Sequence, residues 1–437
     1  MRNLRQVVNL SRPSLETSIG SVGFTSVSLE PVWNVNAEKP ALSSTLIQVQ
    51  PELKTIIAEI ATAQPIPATV MPFATPPFYR PAGSHRCFYY APSTTTTKTD
   101  ITQGDTVLAI KGLEPCIGNF EALLRDLRRA CYSPYSIAEH LVFEERKIPG
   151  CLGLGEAIRE AERALAIQCA HLDRYGSLAH LPVPLFVFRH SDEVVAKTRE
   201  GLQQILMPAA FESIKSMLGS GLGVYVYFYP GSTIRVRDLD YLMPGLGFRE
   251  RLLTLLQDVC DPEEVIHRWV EGFVRFLHLG FVPGSLSSLR TGICCQPQNA
   301  CIDGGFVDLD SLTPIEDFGD TALQAALKFS TDSLIQTVRT LVAGGSDPTR
   351  ADTSEVRIDL HHLGDYVFAL LRAELLTQSR PGYSLDPRVV QYFTPAESFA
   401  DLVDRLRTYY TPSSEFGPAA RDVSSFVCDL LRASRRN

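Results

Sequence analysis

Lysine is scarce in this chain, 8 residues against 33 arginines, so each lysine in an apolar setting stands out. Lys111 closes the run Thr106-Val-Leu-Ala-Ile-Lys111-Gly112, an apolar strand pattern with one cation at its end. An ammonium buried there without a partner is costly, so the position calls for an anion, either a carboxylate or a phosphate. The plain alternative is a strand-end lysine whose charge reaches solvent. Carboxylates are offered by the helix expected over residues 154–175. Ile158, Ala161, Leu165, Cys169 and Leu172 repeat there at the helical period. Glu162 projects onto their face, whereas Glu156 and Glu160 point away, so periodicity makes Glu162 the expected partner of Lys111; the plain alternative is a flank-exposed Glu with a neighbouring Arg.

A second cluster is Gln296-Pro297-Gln298-Asn299-Ala-Cys-Ile-Asp303-Gly304-Gly305-Phe306-Val307-Asp308-Leu309-Asp310. It reads as a loop, a strand ending at Ile302, a tight Asp-Gly-Gly turn, a second short strand and then two acids. An Asn on one side and an Asp just past a strand on the other suit a hard divalent ion. Mg²⁺ keeps waters and takes only one or two protein carboxylates, the rest of its shell coming from phosphate. The bland reading is a polar hairpin with solvated acids. Cys294, Cys295 and Cys301 with His278 lack C-x-x-C spacing and read as buried thiols rather than a zinc site. The glycines of 219–223 follow a helix instead of opening one, so they read as a helix stop. No G-x-S-x-G, H-E-x-x-H or P-loop occurs.

The elements that must position these residues follow from pattern. Strands are expected at 86–91, 106–110, 185–189 and 223–229, with the first two forming a hairpin. Helices are expected at 51–63, 119–130, 154–175, 197–218 and 248–259. Asp261-Pro262-Glu263-Glu264 is a helix start, and the helix after it carries Val265, Ile266, Trp269, Phe273, Phe276 and Leu277 as an apolar stripe. Further helices are expected at 320–342, 359–377, 395–409 and 420–432. The fold class is α+β: an N-terminal extension or arm over 1–80, a small mixed lobe over 81–230 and a larger helical lobe over 231–437.

The chain has 437 residues, a net charge of −8, and 45% hydrophobic and 21% charged residues, which excludes collagen-like, coiled-coil and wholly disordered proteins. Its mild acidity argues against nonspecific nucleic-acid or anionic-membrane binding. There is no apolar run of about 18 residues for a membrane span. Ten dispersed cysteines fit a reducing compartment, so the expected localisation is cytoplasmic.

Strand lysine, helix glutamate, aromatic strand, long helix, Asn loop and Asp strand occur in the order used by protein kinases. The chain thereby resembles the protein-kinase-like superfamily, and within it the selenoprotein-O-type pseudokinases. Ala109-Ile110-Lys111-Gly112 is similar to that group's lysine strand and Ile158-Arg159-Glu160 to its helix string, which favours Glu160 where periodicity favours Glu162. Gly292-Ile293, then Asn299, then Asp308 resembles its shortened active-site loop, and 224–230 would be the hinge strand. The resemblance covers roughly 83–312. It implies a bilobal fold that uses ATP with Mg²⁺ or Mn²⁺. Lys111 and its glutamate would hold phosphates, Asn299 and Asp308 would bind the metal, and Asp310 would serve as a second ligand or base. AMP or a phosphoryl group would pass to a protein, peptide or small-molecule acceptor. Two departures stand out. Gly83-Ser84-His85-Arg86 offers one glycine in place of a glycine-rich loop, and Pro283 and Ser285 replace the His and proton-accepting Asp of an active kinase. A catalytically inactive scaffold acting through protein binding is the alternative expectation.

Overall fold

The computed structural model describes residues 28–49, 54, 66–67, 78–79, 87–90, 107–112, 150–206, 208–230, 235–236, 262–284, 295–343, 360–377 and 385–393. The helices expected at 119–130, 248–259, 395–409 and 420–432 lie outside them, as do Gly83–Arg86, Ser285, Gly292 and Ile293, and all of the helix expected at 51–63 except Lys54. The chain divides into two compact units. One spans 8–233, and the other spans 234–437 together with residues 1–7.

The first unit is built on a seven-stranded antiparallel sheet. Its described elements are β1 (Ser28–Asn34), α1 (Val35–Glu38), α2 (Pro40–Val49), β2 (Ile66–Pro67), β3 (Phe78–Tyr79), β4 (Cys87–Tyr90), β5 (Val107–Lys111), α3 (Leu154–Tyr175), β6 (Val183–His190), α4 (Asp192–Ile205), α5 (Pro208–Gly219) and β7 (Gly223–Tyr229). The strands lie in the order β2-β1-β6-β7-β5-β4-β3. The expected hairpin forms, with Cys87 opposite Lys111 and Tyr90 opposite Leu108. Part of the expected extension belongs to this sheet, because β1 pairs with β6 along its length.

β7 is buried at every position, as its unbroken Val/Tyr/Phe run requires. Tyr225, Tyr227 and Tyr229 alternate with Val224, Val226 and Phe228 on the two faces. The single helix expected over 197–218 is two helices, α4 and α5, because Pro208 cannot donate into a continuing helix and disfavours helical geometry at the residue before it. Ser191 caps α4, accepting from Val194 N. α4 and α5 share a core of Val195, Leu202, Leu206, Phe211, Ile214 and Leu218, joined by Cys151 and Leu222.

The second unit is mostly helical where described: α6 (Pro262–His278), β8 (Phe281–Val282), β9 (Thr313–Pro314), α7 (Asp320–Ala343), α8 (Leu360–Thr377) and α9 (Pro387–Phe393). Pro262 is the first residue of α6, and Val265, Ile266, Trp269, Phe273, Phe276 and Leu277 are buried as their spacing predicts. Each such side chain contributes roughly 1.5–3 kcal/mol on burial. β8 and β9 form a separate two-stranded pair. Among the described residues no helix is long and apolar enough to cross a membrane.

Candidate nucleotide and metal site residues

Lys111 is the last residue of β5 and only 4% exposed, so the solvent-reaching alternative does not hold. Its Nζ donates to Glu160 Oε2 at 2.7 Å, an ion pair with both side chains buried. The periodicity expectation of Glu162 is corrected here, since Glu162 is exposed.

The inward face of α3 is Ala157, Glu160, Ala161, Ala164, Leu165, Ile167, Gln168 and His171. The apolar wheel missed it because alanines let the helix approach the sheet closely, and the large side chains Ile158, Cys169 and Leu172 sit on its half-buried flanks. The buried polar residues on that face are satisfied by specific bonds. Gln168 donates to the carbonyls of Ala179, Leu181 and Pro182 and accepts from Ala179 N at 2.9 Å. His171 Nδ1 lies 2.8 Å from Ser177 O. Together these fix the turn from α3 into β6.

Gly112 follows Lys111 with φ +87°, a conformation that glycine adopts without a steric penalty. A Cβ at this position would lie 2.4 Å from Gly223 O and 2.7 Å from Leu152 Cβ. His190, at the end of β6, places Nε2 3.0 Å from the Gly112 carbonyl, so Nε2–H is the donor. Burial pushes the His190 pKa down to about 4, with the Gly112 carbonyl opposing, so the ring is neutral near pH 7. The same corner is tied by Gly223 N to Leu152 O at 2.8 Å, His190 N to Leu222 O at 3.0 Å and Leu154 N to Gly221 O at 3.0 Å.

The Asn299/Asp308 segment lies in the other unit and is held largely by backbone bonds. Cys301 N donates to Gly305 O at 2.9 Å and Val307 N to Asn299 O at 2.9 Å, with Ala300 bridged to Phe306. This is the expected hairpin, turning at Gly304 with φ +95°. α6 clasps it from one side. Trp269 Nε1 donates to Cys301 O at 3.0 Å, Arg268 donates to Asp303 O at 3.1 Å, and Gly272 leaves room for the Phe306 ring. Arg235 donates to Gln298 O at 2.9 Å, and Thr337 donates to Cys295 O.

Asn299 is buried, Asp308 half-buried and Asp310 exposed. Asp308 has φ 61° and ψ 58°, and it is the one non-glycine residue at positive φ among those described. Asp tolerates this region better than most residues, yet strain of this kind concentrates at functional sites. The residues after Asp308 are anchored downstream. Ile315 N donates to Gly280 O at 2.8 Å, and Arg388 donates to Phe318 O at 2.9 Å while pairing with Asp386 and Asp320.

The amide of Asn299 and the carboxylate of Asp308, on neighbouring hairpin positions, are hard oxygen donors of the kind Mg²⁺ accepts alongside water and phosphate. No group of three or more His, Cys, Asp or Glu is gathered for a metal among the described residues, and Cys295 and Cys301 are buried. Lys111 is thus brought together with Glu160, and Asn299 with Asp308, each within its own unit. His190 and Arg388 had no motif to announce them, since the bonds that anchor them to Gly112 O and Phe318 O reach carbonyls distant in sequence. Comparison with family models, with curated proteins and with solved structures gives no match.

Proposed function

We propose that the chain is an ATP- and Mg²⁺-dependent transferase of protein-kinase-like bilobal fold, moving AMP or a phosphoryl group to a protein, peptide or small-molecule acceptor. The observation that carries this reading is the buried Lys111–Glu160 pair together with its place in the sheet. Counted from the β3 edge the sheet order is β3-β4-β5-β7-β6-β1-β2, so the lysine strand is third from that edge and the glutamate helix α3 is the next described helix after it in the chain, while α4 and α5 intervene between β6 and β7. Protein kinases keep their phosphate-holding lysine on a third strand and its glutamate on the next helix. A buried ion pair is a poor stabiliser compared with apolar side chains of the same volume, so its presence suits a charged ligand better than it suits folding.

In this reading Lys111, oriented by Glu160, holds nucleotide phosphates. Asn299 and Asp308 bind Mg²⁺, or Mn²⁺ in its place, and Asp310 is a further ligand or base. The bound metal would supply charge neutralisation on the transferred phosphate. The chemistry then rests on positioning and electrostatics rather than on a covalent enzyme intermediate.

One observation favours the inactive-scaffold reading. Pro283, at the position of an active kinase's catalytic-loop histidine, is buried with its carbonyl bonded to Ser330 at 3.0 Å, and it offers no group to move a proton. Incubation with ATP radiolabelled on the α or on the γ phosphorus, with Mg²⁺ or Mn²⁺, separates the outcomes. Incorporation of the α label into protein or small acceptors identifies AMP transfer. Incorporation of the γ label alone identifies phosphoryl transfer. Nucleotide binding without either label leaves the scaffold.

A further inference from the structure

Lys111 is aimed not only by Glu160 but by the backbone that follows it. Its next residue, Gly112, sits in a left-handed conformation wedged against Gly223 O and Leu152, and the Gly112 carbonyl accepts from His190 Nε2. His190 is 1% exposed and closes β6, two strands away from β5. Beyond it Ser191 starts α4, and the α4–α5 core includes Cys151, shortly before α3. One imidazole therefore links the lysine strand to the elements that seat the glutamate helix.

We infer that His190 is a positioning residue for Lys111: its hydrogen bond to the Gly112 carbonyl fixes the end of β5 and so holds the Nζ ammonium on Glu160. The inference deepens the nucleotide reading and rests on it only for what Lys111 is positioned to bind. His190 touches no substrate in this account; it acts through Gly112. Its neutral state, kept by burial, lets Nε2–H donate without placing a second charge behind the ion pair.

The test uses the full chain carrying His190→Leu, which removes the donor, and His190→Gln, whose amide nitrogen can replace Nε2–H. Surface labelling of amines and thiols is read by mass spectrometry. Exposed Lys197 and Lys215 serve as references for reagent, and buried Cys151 reports whether the unit stays folded. In His190→Leu the labelling of Lys111 rises roughly tenfold or more while Cys151 stays protected, and His190→Gln restores protection. Lys111 equally protected in His190→Leu overturns the inference. So does labelling of Lys111 and Cys151 together, which would make His190 an ordinary folding residue, and so does failure of His190→Gln to rescue.

A parallel titration with a fluorescent ATP analogue and Mg²⁺ keeps the two readings apart. His190→Leu weakens binding in the wild-type background and has no added effect on Lys111→Ala. A wild-type chain that does not bind the analogue sinks the nucleotide reading and leaves the labelling to decide the role of His190.

Discussion

The two units hold their polar residues by opposite means. In the sheet unit, Lys111 and Glu160 are removed from water and fixed by each other's charge at 2.7 Å. In the helical unit, Asn299 and Asp308 are fixed through the main chain. A tight hairpin clasped by Trp269 and Arg268 carries them, and Asp308 is left half-buried with a strained backbone. A charge pair resists loss of either partner but tolerates replacement of both. A residue seated through its backbone depends in addition on the glycines and carbonyls around it. The same substitution should therefore have different consequences in the two places.

The largest effect is expected at the ion pair. Lys111→Met removes the cation that is ion-paired with buried Glu160 and should cost about 3–5 kcal/mol in chemical denaturation. The double variant Lys111→Met with Glu160→Leu should recover most of that loss, to within about 1 kcal/mol of wild type. A double variant as unstable as the single one would show that packing, not charge, dominates the corner.

Next is the pH response of the same corner. His190 has its pKa lowered from 6.5 to about 4, so the unfolded chain binds more protons between those values. Stability from this group is complete above about pH 6.5 and is lost progressively as pH falls toward 4, by on the order of 3 kcal/mol. His190→Gln should flatten that part of the pH–stability curve.

The hairpin answers through Gly304. A Cβ there would lie 2.3 Å from Arg268 Cβ on a backbone at φ +95°. Gly304→Ala should destabilise the chain by roughly 2–3 kcal/mol, through the left-handed backbone and the displaced Arg268 side chain. The smallest effect is expected at Asp308. Asp308→Gly relieves a left-handed aspartate by about 1 kcal/mol at most, which offsets part of what the contacts of its carboxylate contribute, so the net change in stability should be small while any metal response is removed. A loss of several kcal/mol in Asp308→Gly would show that the contacts of its carboxylate outweigh the relief of its backbone.

What could be read from sequence divides along the same line. The hairpin around Asp303-Gly304-Gly305 and the stripe of α6 were legible because turn chemistry and a run of large apolar residues are local signals. The Lys111 strand was legible for the same reason. The partner of Lys111 was not legible from periodicity, because α3 turns its alanines and its polar side chains inward and leaves Ile158 and Leu172 at the margin. Short motif similarity pointed to Glu160 and hydrophobic weight pointed to Glu162; close approach of helix and sheet decided between them. The division of 192–219 into two helices is announced by Pro208. The anchoring bonds of His190 and Arg388 leave no such mark, since each depends on a carbonyl about 70 residues or more away in the chain.

The proposed roles of Lys111 in holding nucleotide and of Asp308 in holding metal are tested most directly by thermal unfolding with ATP and Mg²⁺ or Mn²⁺, alongside Lys111→Ala and Asp308→Ala. Ligand at about a hundredfold over its dissociation constant adds roughly 2.7 kcal/mol of stability. A metal-dependent rise in the wild type that is lost in both variants is the predicted result. No rise in the wild type, or a rise that survives in both variants, would contradict it.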